Sequence, residues 1–466
     1  MARRAAVSTP CQENPYNSAP RHGTRPRLLQ IAADKRAAGI LLHLNPCIPM
    51  ISNACGVDFG TSNSTVGWLR PGAPTLLPLE DDKSTLPSVI FFHAEDPLVS
   101  YGRAALADYL AGYEGRMMRS LKSLLGTSMM DDSTEVMGQA MPFRKLLAHF
   151  IGELKGRAER AAGRQFSAAV LGRPVHFIDE DAAADQLAED TLAEIARDAG
   201  FKDIAFQYEP IAAAFDYEAG IGSEELVLVA DIGGGTSDFS LVRLSPERAR
   251  KTDRREDILA NGGVHIGGTD FDRALSLASV MPMLGLNSQL RNGKAMPSGQ
   301  YFDLASWHTI NLVYTRRAWA IVMDNYRDAA ETEKLDRLIR LIKDRAGHWL
   351  AIQVEAAKIA LSEAPLTTMD LARIAPDTTL DVTRDDFDQS ISKLVDKTAS
   401  TVKGMLKTAG VPADAVDTIL FTGGSSSVPM LREQLARLLP GARRVEGDLF
   451  GGIGSGLALD AARKFG

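Results

Sequence analysis

The chain has 466 residues, 45% hydrophobic and 24% charged, a soluble globular composition with apolar material for several cores. Its net charge of −7 and pI near 5.7 exclude the basic surface that nucleic acid requires, and no apolar run is long enough to span a bilayer. The three cysteines, Cys11, Cys47 and Cys55, form no CxxC pair, which argues against a disulfide framework or zinc site and fits a reducing, cytoplasmic compartment.

In chain order, residues 1–49 form an Arg-rich, acid-poor stretch broken by prolines. It reads as a disordered leader, or as the product of a start upstream of Met50, with a transit peptide as the other reading. From Gly56 the pattern is strand, turn, strand. "LPSVIFFH" at 86–93 is a β-rich run, and 101–112 has helical spacing. The stretch 142–163 is an amphipathic helix closed by Gly163, 167–175 a buried strand, and 181–201 a helix with acids at its start. A strand at "IAFQYEP", a helix at "IAAAFDYEAG" and a strand–turn–strand from 229 follow. Residues 300–362 are helical and charged, with no strand signal. Strand and helix alternate again to Gly466, ending in "VDTILFTGGSSSVPMLREQLARLL" and "GGIGSGLALDAARKFG". The class is α/β.

Three turns carry chemistry. Turn one is Asp58-Phe59-Gly60-Thr61-Ser62-Asn63. Turn two is Asp231-Ile232-Gly233-Gly234-Gly235-Thr236-Ser237-Asp238. Turn three is Thr422-Gly423-Gly424-Ser425-Ser426-Ser427. The acids of the first two lie 173 positions apart, about half of the chain after the leader, which suggests two copies of one domain facing each other. Each turn alone reads equally as a Gly-rich hairpin with polar tips. Together they read as phosphate loops: glycine lets backbone N–H groups approach an anion, and hydroxyls add donors. An acid just after a strand belongs near phosphate only if a cation intervenes. Asp58 and Asp231 are therefore placed to hold a hydrated Mg²⁺ between opposed loops. No GxxxxGK[ST], HExxH or GxSxG motif occurs.

These turns resemble the actin-like ATPase superfamily, and within it the seventy-kilodalton heat-shock chaperones, the DnaK family. "GVDFGTSNSTV" and "VADIGGGTSDFSLV" are similar to that family's two phosphate loops. "YEPIAAAFDYEAG" resembles the segment supplying a family glutamate, here Glu209, and "LKSLLG" the segment with the catalytic lysine, here Lys122. "GGVHIGGTDFD", with Gly267 and Gly268, resembles the family's GG-DFD segment. "EAAKIALS", with Glu355, Lys358 and Ser362, and "LFTGGSSSVP", with Gly423, Gly424 and Ser425, resemble the adenosine-binding pieces. The likeness covers roughly 55–466.

The resemblance implies an actin-like fold: two similar lobes, duplicated RNase H-like domains, around a nucleotide cleft. The first lobe would span 50–225 and the second 226–466, with a helical subdomain near 280–362. No peptide-binding domain is expected, as in the short YegD-like branch. It implies ATP or ADP with Mg²⁺ as ligands and a Mg-dependent ATPase of chaperone type, with client or co-chaperone proteins as partners. In that reading Lys122, Glu209 and Asp231 are catalytic. Gly60, Thr61, Ser62, Asn63, Gly233, Gly234, Gly235 and Thr236 hold the phosphates, and Thr61 and Thr236 bind γ-phosphate oxygens. Two departures stand out. Ile359 and Ser427 occupy positions where the family has the arginines that flank adenine, which predicts weak base selectivity. The alternatives are a non-catalytic nucleotide-sensing scaffold and a small-molecule kinase of the same superfamily. His265 is expected to be solvated, and Trp307, Trp319 and Trp349 to serve packing.

Overall fold

The computed structural model describes residues 53–70, 75–136, 138–178, 181–251, 253–448 and 451–466. The expectations for residues 1–49, with Cys11 and Cys47, and for Met50 lie outside them.

The first part of the chain runs β1 (Ala54–Phe59), β2 (Asn63–Gly67), β3 (Thr85–Pro87), β4 (Val89–His93), β5 (Val99–Tyr101), α1 (Gly102–Leu110), β6 (Gly115–Arg119), β7 (Ser133–Val136) and β8 (Gln139–Pro142). It continues with α2 (Phe143–Ala162), β9 (Ala168–Arg173), α3 (Ala182–Asp198), β10 (Asp203–Tyr208) and α4 (Glu209–Glu218). Helix α2 buries Phe143, Leu146, Leu147, Phe150, Ile151, Leu154 and Ala158, one face at 3.6-residue spacing, and Gly163 ends it. Helix α3 starts at Asp181, whose carboxylate accepts from the Ala183 and Ala184 N–H groups.

The second part runs β11 (Glu225–Ile232), β12 (Ser237–Leu244), β13 (Ile258–Val264), α5 (Gly268–Leu275), α6 (Gly299–Leu304), α7 (Arg316–Asp328), α8 (Thr332–Lys343), α9 (Gly347–Glu363), β14 (Leu366–Asp370) and β15 (Thr379–Thr383). It ends with α10 (Arg384–Ala409), β16 (Thr418–Thr422), α11 (Pro429–Leu438), β17 (Arg443–Glu446) and α12 (Gly452–Phe465). The fold is mixed α/β, and α6 to α9 supply the helical stretch expected at 300–362.

Two five-stranded sheets have the same plan. One is ordered β10-β9-β1-β2-β3 and the other β17-β16-β11-β12-β13. In each, the first strand pairs antiparallel with the next and parallel with a strand reached by a long crossover. The central strands β1 and β11 are almost wholly buried because both sheet faces are covered.

The run 86–93 is not one strand. It breaks at Ser88 into β3, in the first sheet, and β4, in a separate three-stranded sheet. Ser88 donates its backbone N–H to Ser62 O at 2.9 Å and its hydroxyl to Gly60 O at 2.7 Å, so it leaves the ladder to brace turn one.

Two helices cross over between the sheets. Helix α4 packs Ile211, Ala213, Ala214 and Phe215 against Val227, Val229 and Val242 of the second sheet. Helix α12, within the stretch read as second lobe, packs Leu457 and Ala461 against Ala54, Ala168 and Val170 of the first. The two touch at Gly456, where a Cβ would collide with the Ala212 carbonyl. Cys55 is a buried free thiol. Among the described residues, no helix is long and apolar enough to cross a membrane.

Candidate functional site

The three turns meet. A Cβ on Gly234 would collide with the Ser62 hydroxyl, so turns one and two face each other. Turn two is stitched to the start of α5. Gly268 N–H donates to Gly233 O at 3.0 Å, and Thr269 donates its N–H and hydroxyl to Gly234 O at 2.7 and 2.8 Å. This needs glycine at 267, where a Cβ would lie 2.7 Å from the Gly234 carbonyl carbon and oxygen. Turn three passes behind Asp231. Gly423 sits at φ +77°, and a Cβ there would lie 2.5 Å from Asp231 Oδ1.

Asp58 ends β1 and Asp231 ends β11 at matching places: Asp58 faces Thr65 across its hairpin, and Asp231 faces Asp238. Lys122 is in a single helical turn after β6, and Glu209 is the first residue of α4. Their side chains form an ion pair of 2.6 Å, 11% and 13% exposed. Lys122 is thus fixed inside rather than on the surface. Burial, then Glu209, push Asp58 up to about 7, against the pull of Lys122. Burial, followed by Glu209, Asp238 and Asp58, holds Asp231 well above the usual carboxylate range. Burial pulls the Lys122 ammonium down, but Glu209, Asp58 and Asp231 outweigh it and raise it. Three carboxylates face one ammonium, so the centre is short of positive charge. Among the described residues, no group of three or more His, Cys, Asp and Glu side chains is arranged as a direct metal-ligand set.

Not every hydroxyl in the turns is free. Thr236 donates to Asp238 Oδ2 at 2.8 Å. Glu355, Lys358 and Ser362 share a helical repeat on α9. Lys358 pairs with Asp272 at 2.9 Å and donates to Gly268 O at 3.3 Å. A Cβ on Gly268 would lie 3.1 Å from Lys358 Nζ and would collide with the Ser425 hydroxyl, so α5, α9 and turn three converge here. Ser362 donates to Lys358 O at 3.3 Å. Sequence reasoning passed over Asp272. Burial pushes it up to about 6 against the pull of Lys358. Its signal was the second acid of "DFD". A cavity of about 40 Å³ lies beside this group, lined by Arg119, Thr269, Asp272, Trp307 and Glu355 among others. Ile359 is 57% exposed, and Ser427 spends its hydroxyl on Gly424 O at 2.9 Å. His265 is exposed, as expected, and Trp319 and Trp349 pack half-buried against the second core. Trp307 instead meets His348 and Arg119.

Comparison with known proteins finds relatives over most of the chain. The chaperone protein HscA of Citrobacter koseri is 27% identical over 429 residues, covering 87% of this chain and 58% of the relative. HscA of Salmonella typhimurium is 27% identical over 404 residues, covering 82% and 53%. The HscA homolog of Shewanella denitrificans is 26% identical over 402 residues, covering 82% and 54%. The chain spans about half the length of these relatives. The family model described as Hsp70 protein matches residues 54–280 and 323–446, taking in all three turns, Lys122, Glu209 and the Glu355–Ser362 face. The chain belongs to the Hsp70 family.

Proposed function

We propose that residues 54–466 form a nucleotide-binding, Mg²⁺-dependent ATPase of chaperone type, with ATP held in a cleft between two similar lobes. The observation that carries this is the meeting of two Asp-x-Gly turns, from two sheets of identical plan, over a buried centre with too little positive charge. The backbone N–H groups of Gly60–Asn63 and Gly233–Thr236 would bind phosphate oxygens, and Gly267 and Gly268 support the second turn. Glu355, Lys358, Ser362 and Gly423–Ser425 would take the nucleoside. The donor set fits Mg²⁺: carboxylates only, none of them in a direct cluster, so Asp58 and Asp231 would hold it through its water shell. Bound there, Mg²⁺ supplies the charge neutralisation on which phosphoryl transfer depends.

The chain's own residues do the rest. Lys122 presents an ammonium, kept charged by its carboxylate neighbours, to the transferring phosphoryl group. Glu209 holds that ammonium and orients the attacking water. Thr61 offers a hydroxyl to the γ-phosphate directly, whereas Thr236 does so after releasing Asp238. Closing and opening of the cleft would be the output passed to client or co-chaperone proteins in the cytoplasm.

The test is phosphate release by purified protein with ATP and Mg²⁺, beside calorimetric ATP binding with and without EDTA. Magnesium-dependent turnover supports the reading, and absence of ATP binding overturns it. The exposed Ile359 and the internally bonded Ser427 favour a second reading, a nucleotide sensor that binds without hydrolysing. Binding with no phosphate release would select it.

A further inference from the structure

Helix α2 ends at Gly163, whose φ of +67° turns the chain so that the Arg164 N–H reaches back to Glu159 O at 3.2 Å. That turn delivers the Arg164 side chain to Trp68, just past β2, with its guanidinium carbon 4.9 Å from the ring centroid. Arg70 lies two residues beyond Trp68, the spacing that shares one side of an extended chain, and brings a second guanidinium to 5.4 Å from the same ring. The indole is held in place for both. The Trp68 backbone N–H donates to Thr75 O at 2.8 Å, and Phe166 meets the ring edge-on at 5.8 Å.

The donors of this group are unmatched. Trp68 Nε1, Arg70 Nε and Arg164 Nε are buried, and none has a hydrogen-bond partner among the described residues. Arg164 donates a terminal nitrogen to the Asn53 side-chain oxygen, which carries no charge. The carboxylate of Glu159, one turn before Gly163, is already taken by Lys155 Nζ at 2.6 Å and by the Phe166 N–H at 2.8 Å. Stacking on an indole offsets part of a cation's charge but supplies no acceptor. Buried donors without partners are rare in native proteins and mark the place of a water or an ion. A water would satisfy the N–H groups and leave two positive charges beside one ring. An anion answers both needs.

We propose that Trp68, Arg70 and Arg164 form a surface site for one oxyanion group, a phosphate or a carboxylate. A planar guanidinium fork matches either, and the indole N–H adds a third donor. All three side chains are half-buried, so entry needs one arginine to swing outward on its flexible stem. The site lies at the end of the β1–β2 hairpin away from turn one, since Gly67, next to Trp68, pairs with Gly56. It is separate from the phosphate turns and does not rest on the nucleotide reading.

The chain has four tryptophans, so a TROSY spectrum of protein with isotope-labelled indoles shows four N–H signals, and Trp68→Phe identifies the relevant one. Inorganic phosphate and capped glutamate, acetylated and amidated, are titrated separately into the full chain at ionic strength held constant with sodium chloride. The expected result is a saturable downfield movement of the Trp68 signal at millimolar probe. Its midpoint should rise roughly ten- to hundred-fold in Arg70→Gln and in Arg164→Gln. Movement with phosphate alone assigns a phosphate group, with capped glutamate alone a carboxylate, and with both a general oxyanion site. No saturable movement with either probe overturns the site, and so does a midpoint unchanged in either variant. Thermal unfolding in chloride buffer completes the test: variants that melt lower, beside a wild type that answers neither probe, mean that the arginines brace the tryptophan and bind nothing.

Discussion

Replacing Asp58 by asparagine tests the electrostatics of the site without any ligand. The carboxyl group is pushed from its ordinary 3.8 to about 7. A raised carboxylate means that the folded state resists ionising it. The resulting penalty is fully present above pH 7 and is relieved as pH falls from 7 toward 3.8. At about 1.4 kcal/mol per tenfold, it amounts to roughly 4 kcal/mol at pH 8, about 2 at pH 5.5 and close to zero at pH 4. An amide carries no charge to ionise but remains a buried polar group, so about half of that gain is expected to appear. Asp58→Asn should therefore be more stable than wild type at pH 8 by about 2 kcal/mol, near 2 °C in Tm for a cooperative unit of ~400 residues. The assay is thermal unfolding followed by circular dichroism at pH 8 and 5.5 in EDTA. A variant no more stable than wild type at pH 8, or an advantage that fails to shrink at pH 5.5, refutes the assignment of a charge-starved centre.

Three further outcomes are expected. Asp231→Asn fills the same space but cannot offset phosphate charge, so Mg²⁺-dependent phosphate release should vanish with the circular dichroism spectrum unchanged; near wild-type turnover would rule out its role. Gly267→Ala should drive turn two away from α5, since its Cβ would lie 2.7 Å from the Gly234 carbonyl. A misplacement of that order costs ~10²-fold in rate, so retained phosphate release would show that the stitching does not position the site. Restoring both family arginines, Ile359→Arg with Ser427→Arg, should tighten ATP more than GTP by roughly three- to thirty-fold in calorimetric titrations. Tight, ATP-selective binding by the wild type would mean that another side chain covers the base.

Much of the fold was legible because its signals are local. The apolar period of α2, the Asp181 cap of α3 and the glycine turns of both hairpins lie within a few residues of the structures they dictate. The repeated Asp-x-Gly turn gave away the relation between the two sheets. The break at Ser88 had one local signal, Pro87, which cannot donate to a ladder, but the bonds to Gly60 and Ser62 that take Ser88 into turn one are long-range. The depth of Lys122 and the Asp272–Lys358 pair depend on partners 87 and 86 positions away.

The crossing of α4 and α12 has a mechanical consequence. Each sheet carries the helix that its own half of the chain does not supply, and the two helices meet at Gly456 and Ala212 with no side chain wedged between them. Were one sheet to rotate against the other, the two helices would scissor about that point, and displacement would be least there and grow with distance from it. A turn too small to disturb a single strand register would then open a gap at a remote edge, with the glycine contact as its fulcrum.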